Sequence, residues 1–266
     1  MSITTHPAPV ALRATSLHPT SLRMWHEPSP GPTARGTVVV LVGRGETPEV
    51  YERFGRRLAA DGYRVVAVGE DHPAPQAVAD LLSPLPAPHV VVGSDAGALA
   101  AVRIARAGHV DAVVLAGIPT SSGEHGLTWQ AELDARSACS SHQRVLGQAT
   151  RSSLFADATA VVAADLTRPD DAALPVPALA VHGAADRISH AEHAVAAYRT
   201  LGARQIVLVT DGRHDVLNDV AHRTVAATVV QFLERVRRGA DLPDVVVDVT
   251  APDVTVPGTP ALAVRP

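Results

Sequence analysis

The chain alternates between short, β-branched apolar runs and longer segments whose apolar residues recur every three or four positions. Runs at 37–42, 63–68, 90–92, 112–116, 178–181 and 206–209 have the length and composition of strands. Most are apolar at successive rather than alternate positions, which predicts strands buried on both faces. Between the first two, Val50, Phe54 and Leu58 share one helical face, with Pro48 near the start and Gly62 past the end. Further helices are predicted over 73–82, 98–107, 190–201 and 220–236. Two more strands, 10–15 and 21–26, come first, punctuated by Pro19 and ended by the turn-rich stretch 28–32. Strands alternating with helices imply an α/β fold, a mostly parallel sheet covered by helices on both faces.

The rhythm breaks once. Residues 119–174 are more polar and largely helical in pattern, above all over 129–146, and read as a small helical cap inserted into a core made of 1–118 and 175–238. Residues 239–266 are Pro-rich with short β-branched bursts, an extended tail to be laid on this chain's own surface or on a partner subunit in a homodimer. No internal repeat is apparent.

Composition narrows the classes. A chain of 266 residues, 46% hydrophobic, can bury one large α/β core. Its net charge of −4 and the lack of a basic stripe argue against a nucleic-acid partner. No apolar run approaches the roughly 18 residues of a membrane span, and the N-terminus lacks the order of a secretory signal. A cytoplasmic protein with no membrane partner and a small-molecule substrate is the expectation. The single cysteine, Cys139, excludes an intramolecular disulfide and a cysteine-based zinc site. Gly43 and Gly45 form a lone G-x-G without the third glycine of a dinucleotide loop, so no cofactor is expected, and no metal.

The chemistry concentrates where the third of the buried runs ends. In Gly93-Ser94-Asp95-Ala96-Gly97, glycines stand two residues before and two after one polar side chain, and the Ala-rich helix follows at once. This is the spacing of a nucleophile elbow, a strained strand-to-helix turn that lifts one side chain clear of the sheet. The residue at its centre is Asp95. Ser94 reads as a small polar neighbour. Two more candidates follow at later strand ends: Asp186 in Val181-His182-Gly183-Ala184-Ala185-Asp186, and His214 in Asp211-Gly212-Arg213-His214-Asp215. Loops beyond the carboxyl ends of parallel strands converge on one crevice, so the three are expected to meet. Asp211 and Asp215 are the alternatives to Asp186 as the partner of His214. His182 reads as structural, and His190, His193 and His222 as helix residues. Glu46 reads as a helix cap, and the Arg44 side chain as a surface group.

From about residue 22 to 236 the chain resembles the α/β-hydrolases. Gly212-Arg213-His214-Asp215-Val216-Leu217-Asn218-Asp219 is similar to the monoacylglycerol lipase and lysophospholipase-like group. Three positions depart from that pattern. The strand-end histidine-glycine pair is Val42-Gly43, the loop after the next strand is Gly69-Glu70-Asp71-His72-Pro73, and the nucleophilic serine is Asp95. Within the superfamily, haloalkane dehalogenases and epoxide hydrolases use aspartate at the elbow. The resemblance therefore implies an Asp95 nucleophile, a His214 base, an Asp186 orienter, and backbone N–H groups of Arg44 and Ala96 as oxyanion donors. Gly43 and Trp129 are the candidate substrate contacts, although Trp129, Leu133 and Leu146 also suit packing of the cap onto the core.

A carboxylate displaces a leaving group at saturated carbon and forms an alkyl ester, which water then hydrolyses. Against a carboxylic ester it would have to form an anhydride, a poor intermediate. A small apolar epoxide or halide is accordingly the leading substrate. Dehalogenases of this pattern carry a tryptophan after the nucleophile, here Ala96, and epoxide hydrolases supply cap tyrosines. Tyr51, Tyr63 and Tyr198 all lie outside the insertion, leaving Trp129, His125, His142 and Arg44 as candidate donors to the leaving group. The alternatives are ester or lipid hydrolysis, a lyase or cyclase step without covalent aspartate chemistry, and a non-catalytic binding protein that reuses the pocket.

Overall fold

The computed structural model describes residues 22–25, 34–69, 73–124, 126–149 and 173–246. In chain order the strands are β1 (Leu22–Trp25), β2 (Thr37–Leu41), β3 (Arg64–Val68), β4 (His89–Ser94), β5 (Ala112–Ala116), β6 (Ala178–Gly183) and β7 (Gln205–Val209). The helices are α1 (Glu52–Ala60), α2 (Pro75–Leu82), α3 (Ala96–Arg106), α4 (Trp129–Arg136), α5 (Ser140–Ala149), α6 (Ala191–Thr200) and α7 (His222–Arg238), with one 3-10 turn, Pro48–Tyr51, leading into α1. The expected strand at 10–15 and the tail beyond 246 lie outside the described residues.

The strands form one sheet in the order β1-β3-β2-β4-β5-β6-β7, parallel throughout except for β1, which runs antiparallel to β3 with Leu22 opposite Val68. Alternate residues of the same strands serve opposite faces. Val38, Val40, Val65, Val92, Val114 and Val181 pack with Phe54 and Leu58 of α1 and Val229 and Phe232 of α7. Val39, Leu41, Val66, Val91, Val113 and Leu115 pack instead with α2, α3 and Tyr198 of α6. This period of two across uniformly apolar runs makes both faces core, as the β-branched stretches require.

The order of strands decides where the site falls. β2 and β4 are neighbours although β3 separates them in sequence, so the turn after β2 lies beside the turn after β4. Small residues permit the contact: a Cβ on Gly97 would stand 2.2 Å from the Leu41 carbonyl oxygen, and one on Gly93 2.1 Å from that of Gly97.

The stretch 129–146, helical in pattern, forms two helices, α4 and α5, separated at Ser137, whose φ of −152° and ψ of 142° are extended. The carboxylate of Asp219 causes the break. Its Oδ1 accepts from the Ser137 hydroxyl at 2.9 Å and from the Ala138 N–H at 2.7 Å. A carboxylate some eighty positions away leaves no trace in helical periodicity.

Candidate active site

Asp95 sits between β4 and α3 with φ 50° and ψ −122°, a strained conformation for a residue with a side chain. Its N–H donates to the Ala116 carbonyl at 3.0 Å, and its own carbonyl accepts from Ala98 N–H at 2.8 Å, so the turn is fixed on both sides. The carboxylate points to three groups. Oδ2 accepts the Arg44 N–H at 3.0 Å and Arg44 Nε at 2.7 Å, and Oδ1 accepts Arg44 Nη2 at 2.7 Å. His214 Nε2 lies 3.3 Å from Oδ1, an ion-pair distance.

His214 is in turn held by Asp186. The imidazole Nδ1 is 2.8 Å from Asp186 Oδ2. Asp186 is itself anchored: Oδ1 accepts the N–H groups of Ile188 and Ser189 at 2.8 and 2.9 Å, and Oδ2 lies 3.1 Å from His182 Nε2. His182 has the structural role expected of it, bridging Asp186, the Ser189 carbonyl and the Tyr198 hydroxyl.

The course of the chain is shared with known structures. The chain superposes on a monoacylglycerol lipase from Paleococcus ferrophilus with a TM-score of 0.63 and 15% identity, over 80% of this chain and 97% of that one. A soluble variant of monoglyceride lipase from Saccharomyces cerevisiae gives 0.64 at 15% identity, over 87% and 99% of the two chains. An esterase from Thermogutta terrifontis gives 0.58 at 20% identity, over 81% and 94%. The chain has the α/β-hydrolase fold. No protein-family model and no curated protein sequence matches it.

Within that α/β-hydrolase scaffold the site is densely charged. Burial alone would push the Asp95 carboxyl up, but the Arg44 guanidinium and the His214 ring overrule it and hold the group well below the ordinary carboxylate range. Burial pushes His214 down, yet Asp186 and then Asp95 raise it from 6.5 to about 10. The site therefore holds two anions and two cations, with the imidazole protonated near neutral pH. A raised pKa means that His214 contributes stability in full below pH 6.5 and loses it as pH rises through about 10. Denaturant unfolding of the protein should show this loss between pH 7 and 10, and the variant His214→Gln should lack it.

Several predicted residues are corrected by the structure. Glu46 is not a helix cap: it is 4% exposed, and its Oε2 accepts the Gly43 N–H at 3.1 Å as well as the Tyr51 hydroxyl. The Arg44 side chain is no surface group, being 13% exposed and forked onto Asp95. Asp215 is not the partner of His214, since its Oδ2 faces His142 Nε2 at 3.1 Å, and Asp211 is exposed. Trp129 is partly buried against the core cluster that includes Leu133 and Leu146, which gives it a packing role. Gly43 does border the site, for a Cβ there would stand 3.3 Å from that of Asp95. Ala96 begins α3 directly after Asp95, at the positive end of the helix dipole. His125 lies outside the described residues.

Sequence reasoning missed a second layer. Arg136, 2% exposed at the end of α4, donates to Glu46 Oε1 at 3.1 Å and to the Arg44 carbonyl at 3.2 Å, and pairs with Glu132 at 3.1 Å. Its own carbonyl accepts the Asp215 N–H at 2.8 Å. Arg136 thus grips both the Arg44 loop and the His214 loop. Glu46 is pushed up to about 7 by burial and by Asp215, against the pull of Arg136. Removing one member of a buried ionic cluster leaves the others uncompensated. Arg136→Gln should lower unfolding free energy by about 3–5 kcal/mol, read by urea titration near pH 8. The only hints in sequence were charged residues at the apolar ends of helices and loops.

Proposed function

We propose that this protein is a hydrolase of small apolar organic molecules that works through an Asp95 alkyl ester. The observation that carries the reading is the asymmetry of the Asp95 carboxylate. Oδ2 accepts the Arg44 N–H at 3.0 Å, where an ester carbonyl oxygen would sit, and Oδ1 faces His214 Nε2 at 3.3 Å. Oδ1 attacks a saturated carbon, and the bond to the leaving group breaks with its electron pair. Asp95 then becomes a neutral ester, so one of the two anions that hold the imidazole proton is gone and His214 releases that proton to water. Neutral His214 takes a proton from a water molecule that attacks the ester carbon. The tetrahedral oxyanion on Oδ2 is held by the Arg44 N–H, with the Ala96 N–H as second donor, each worth roughly 3 kcal/mol. Collapse breaks the bond from the ester carbon to Oδ1, the alcohol leaves with that oxygen and a proton from His214, and the new carboxylic acid, carrying an oxygen from water, returns its proton to the imidazole to restore the carboxylate.

The experiment is a single turnover in heavy-oxygen water. With enzyme in excess over substrate, the label should enter Asp95 and not the alcohol. Label in the alcohol alone would replace this route with direct attack of water on substrate. A non-catalytic binding protein is the second reading, favoured by the double Arg44–Asp95 pairing that already satisfies the carboxylate. It expects ligand to be bound and recovered unchanged.

A further inference from the structure

A pocket of about 260 Å³ opens between α1 and the first turn of α7, and it shares no lining residue with the Asp95 site. Arg53 and Arg57, one helical turn apart, come to it from α1, and His222 and Arg223 come from α7. Its floor is apolar, formed in part by Phe54 and Leu217, which are 2% and 1% exposed. None of the lining residues is acidic, although the whole chain carries a net charge of −4.

The state of these cations points to a ligand. Arg53 is half-buried, and its guanidinium is held by uncharged acceptors: Nη2 donates to the Asn218 carbonyl at 2.6 Å and Nη1 to Cys139 Sγ at 3.6 Å. Its charge is therefore partly desolvated and faces no carboxylate among the described residues, which costs free energy until an anion arrives. Arg57 is shared with Asp61 at 3.1 Å, but that pair is exposed and weak. His222 and Arg223 open a helix of 17 residues, so the positive end of its dipole adds to the field of the guanidiniums.

We propose that this pocket binds a soluble phosphomonoester that carries a short apolar chain. A phosphate dianion presents three oxygens and two charges to guanidiniums arriving from two helices, and arginine pairs with it through a fork of two hydrogen bonds. A carboxylate has one charge and two oxygens to offer the same cations. Phe54 and Leu217 give the first carbons of the chain a dry surface. The volume falls just below the roughly 300–1,000 Å³ of sites for drug-sized ligands, which limits the occupant to the headgroup and a few carbons. The site stands apart from the covalent reading, since no lining residue takes part in that chemistry.

The test is calorimetric titration of the full chain with butyl phosphate, inorganic phosphate and butyrate near pH 8, where the phosphates carry both charges. Butyl phosphate should bind one to one. Inorganic phosphate should bind about 10-fold more weakly, for want of about two buried methylenes, and butyrate about 10-fold more weakly for want of the second charge. Arg223→Gln should weaken butyl phosphate by about 10-fold, and Arg53→Gln by at least as much. Arg53 also holds the Asn218 carbonyl, so circular dichroism accompanies both variants, and Arg223→Gln, at an exposed side chain, decides the matter if Arg53→Gln unfolds. Arg44→Gln should leave the affinity as it is. Binding lost with Arg44→Gln but kept with Arg223→Gln would move the anion to the Asp95 site and overturn the proposal. Equal affinity for butyrate or for inorganic phosphate, or no binding of butyl phosphate, would overturn it as well. Capture on vesicles containing phosphatidic acid, abolished by Arg223→Gln and without binding of butyl phosphate, would give the pocket to a membrane headgroup in place of the soluble ligand.

Discussion

On the proposed covalent route, protein carrying His214→Gln, given an alkylating substrate, is expected to gain the mass of one alkyl group at Asp95 and to stop there. The first half-reaction needs only the carboxylate and a carbon in line with Oδ1. The second needs a base for water, and the imidazole of His214 faces Oδ1 at 3.3 Å. General-base catalysis of this kind is worth about 10²–10⁴-fold, so ester hydrolysis should slow by that factor while alkylation persists. Intact mass spectrometry follows both phases, and peptide mapping locates the group. A variant that turns over at the native rate with no adduct would place the base elsewhere.

Asp95→Asn should have the larger effect on turnover, a loss on the order of 10⁴-fold or more, because the proposed route takes its attacking oxygen from this carboxylate. The same change tests the charge balance. Arg44 and His214 would then face each other without the anion that lies between them at 2.7 and 3.3 Å. The pKa of His214, near 10 with both acids present, should fall, and NMR titration of its ring would report the shift. Stability should drop as well, since Arg44 loses its buried partner. Unchanged turnover with unchanged ligand affinity would favour the binding protein.

Much of this was legible along the chain. Uniformly apolar β-branched runs specify strands that both faces of a sheet must bury, and the glycines around Asp95 specify a turn that only small neighbours allow. The order of elbow, acid and histidine follows from where the strands end, so Asp95, Asp186 and His214 could be named from their positions alone. These are local properties: spacing, side-chain size and turn chemistry act within a few residues.

What the tertiary structure decided is everything that depends on contact between distant segments. The choice of Asp186 over Asp215 rests on which loop reaches the imidazole, and the adjacency of β2 and β4 brings Arg44 onto Asp95 across 51 positions. The burial of Glu46 depends on Arg136, which lies 90 positions away, and Asp219 fixes the break between α4 and α5 from 81 positions along the chain. A charged residue looks the same in sequence whether it is solvated or enclosed. Only the fold sets the dielectric around it and the charges it must face, and those decide whether an arginine is a surface group or the partner of a buried carboxylate.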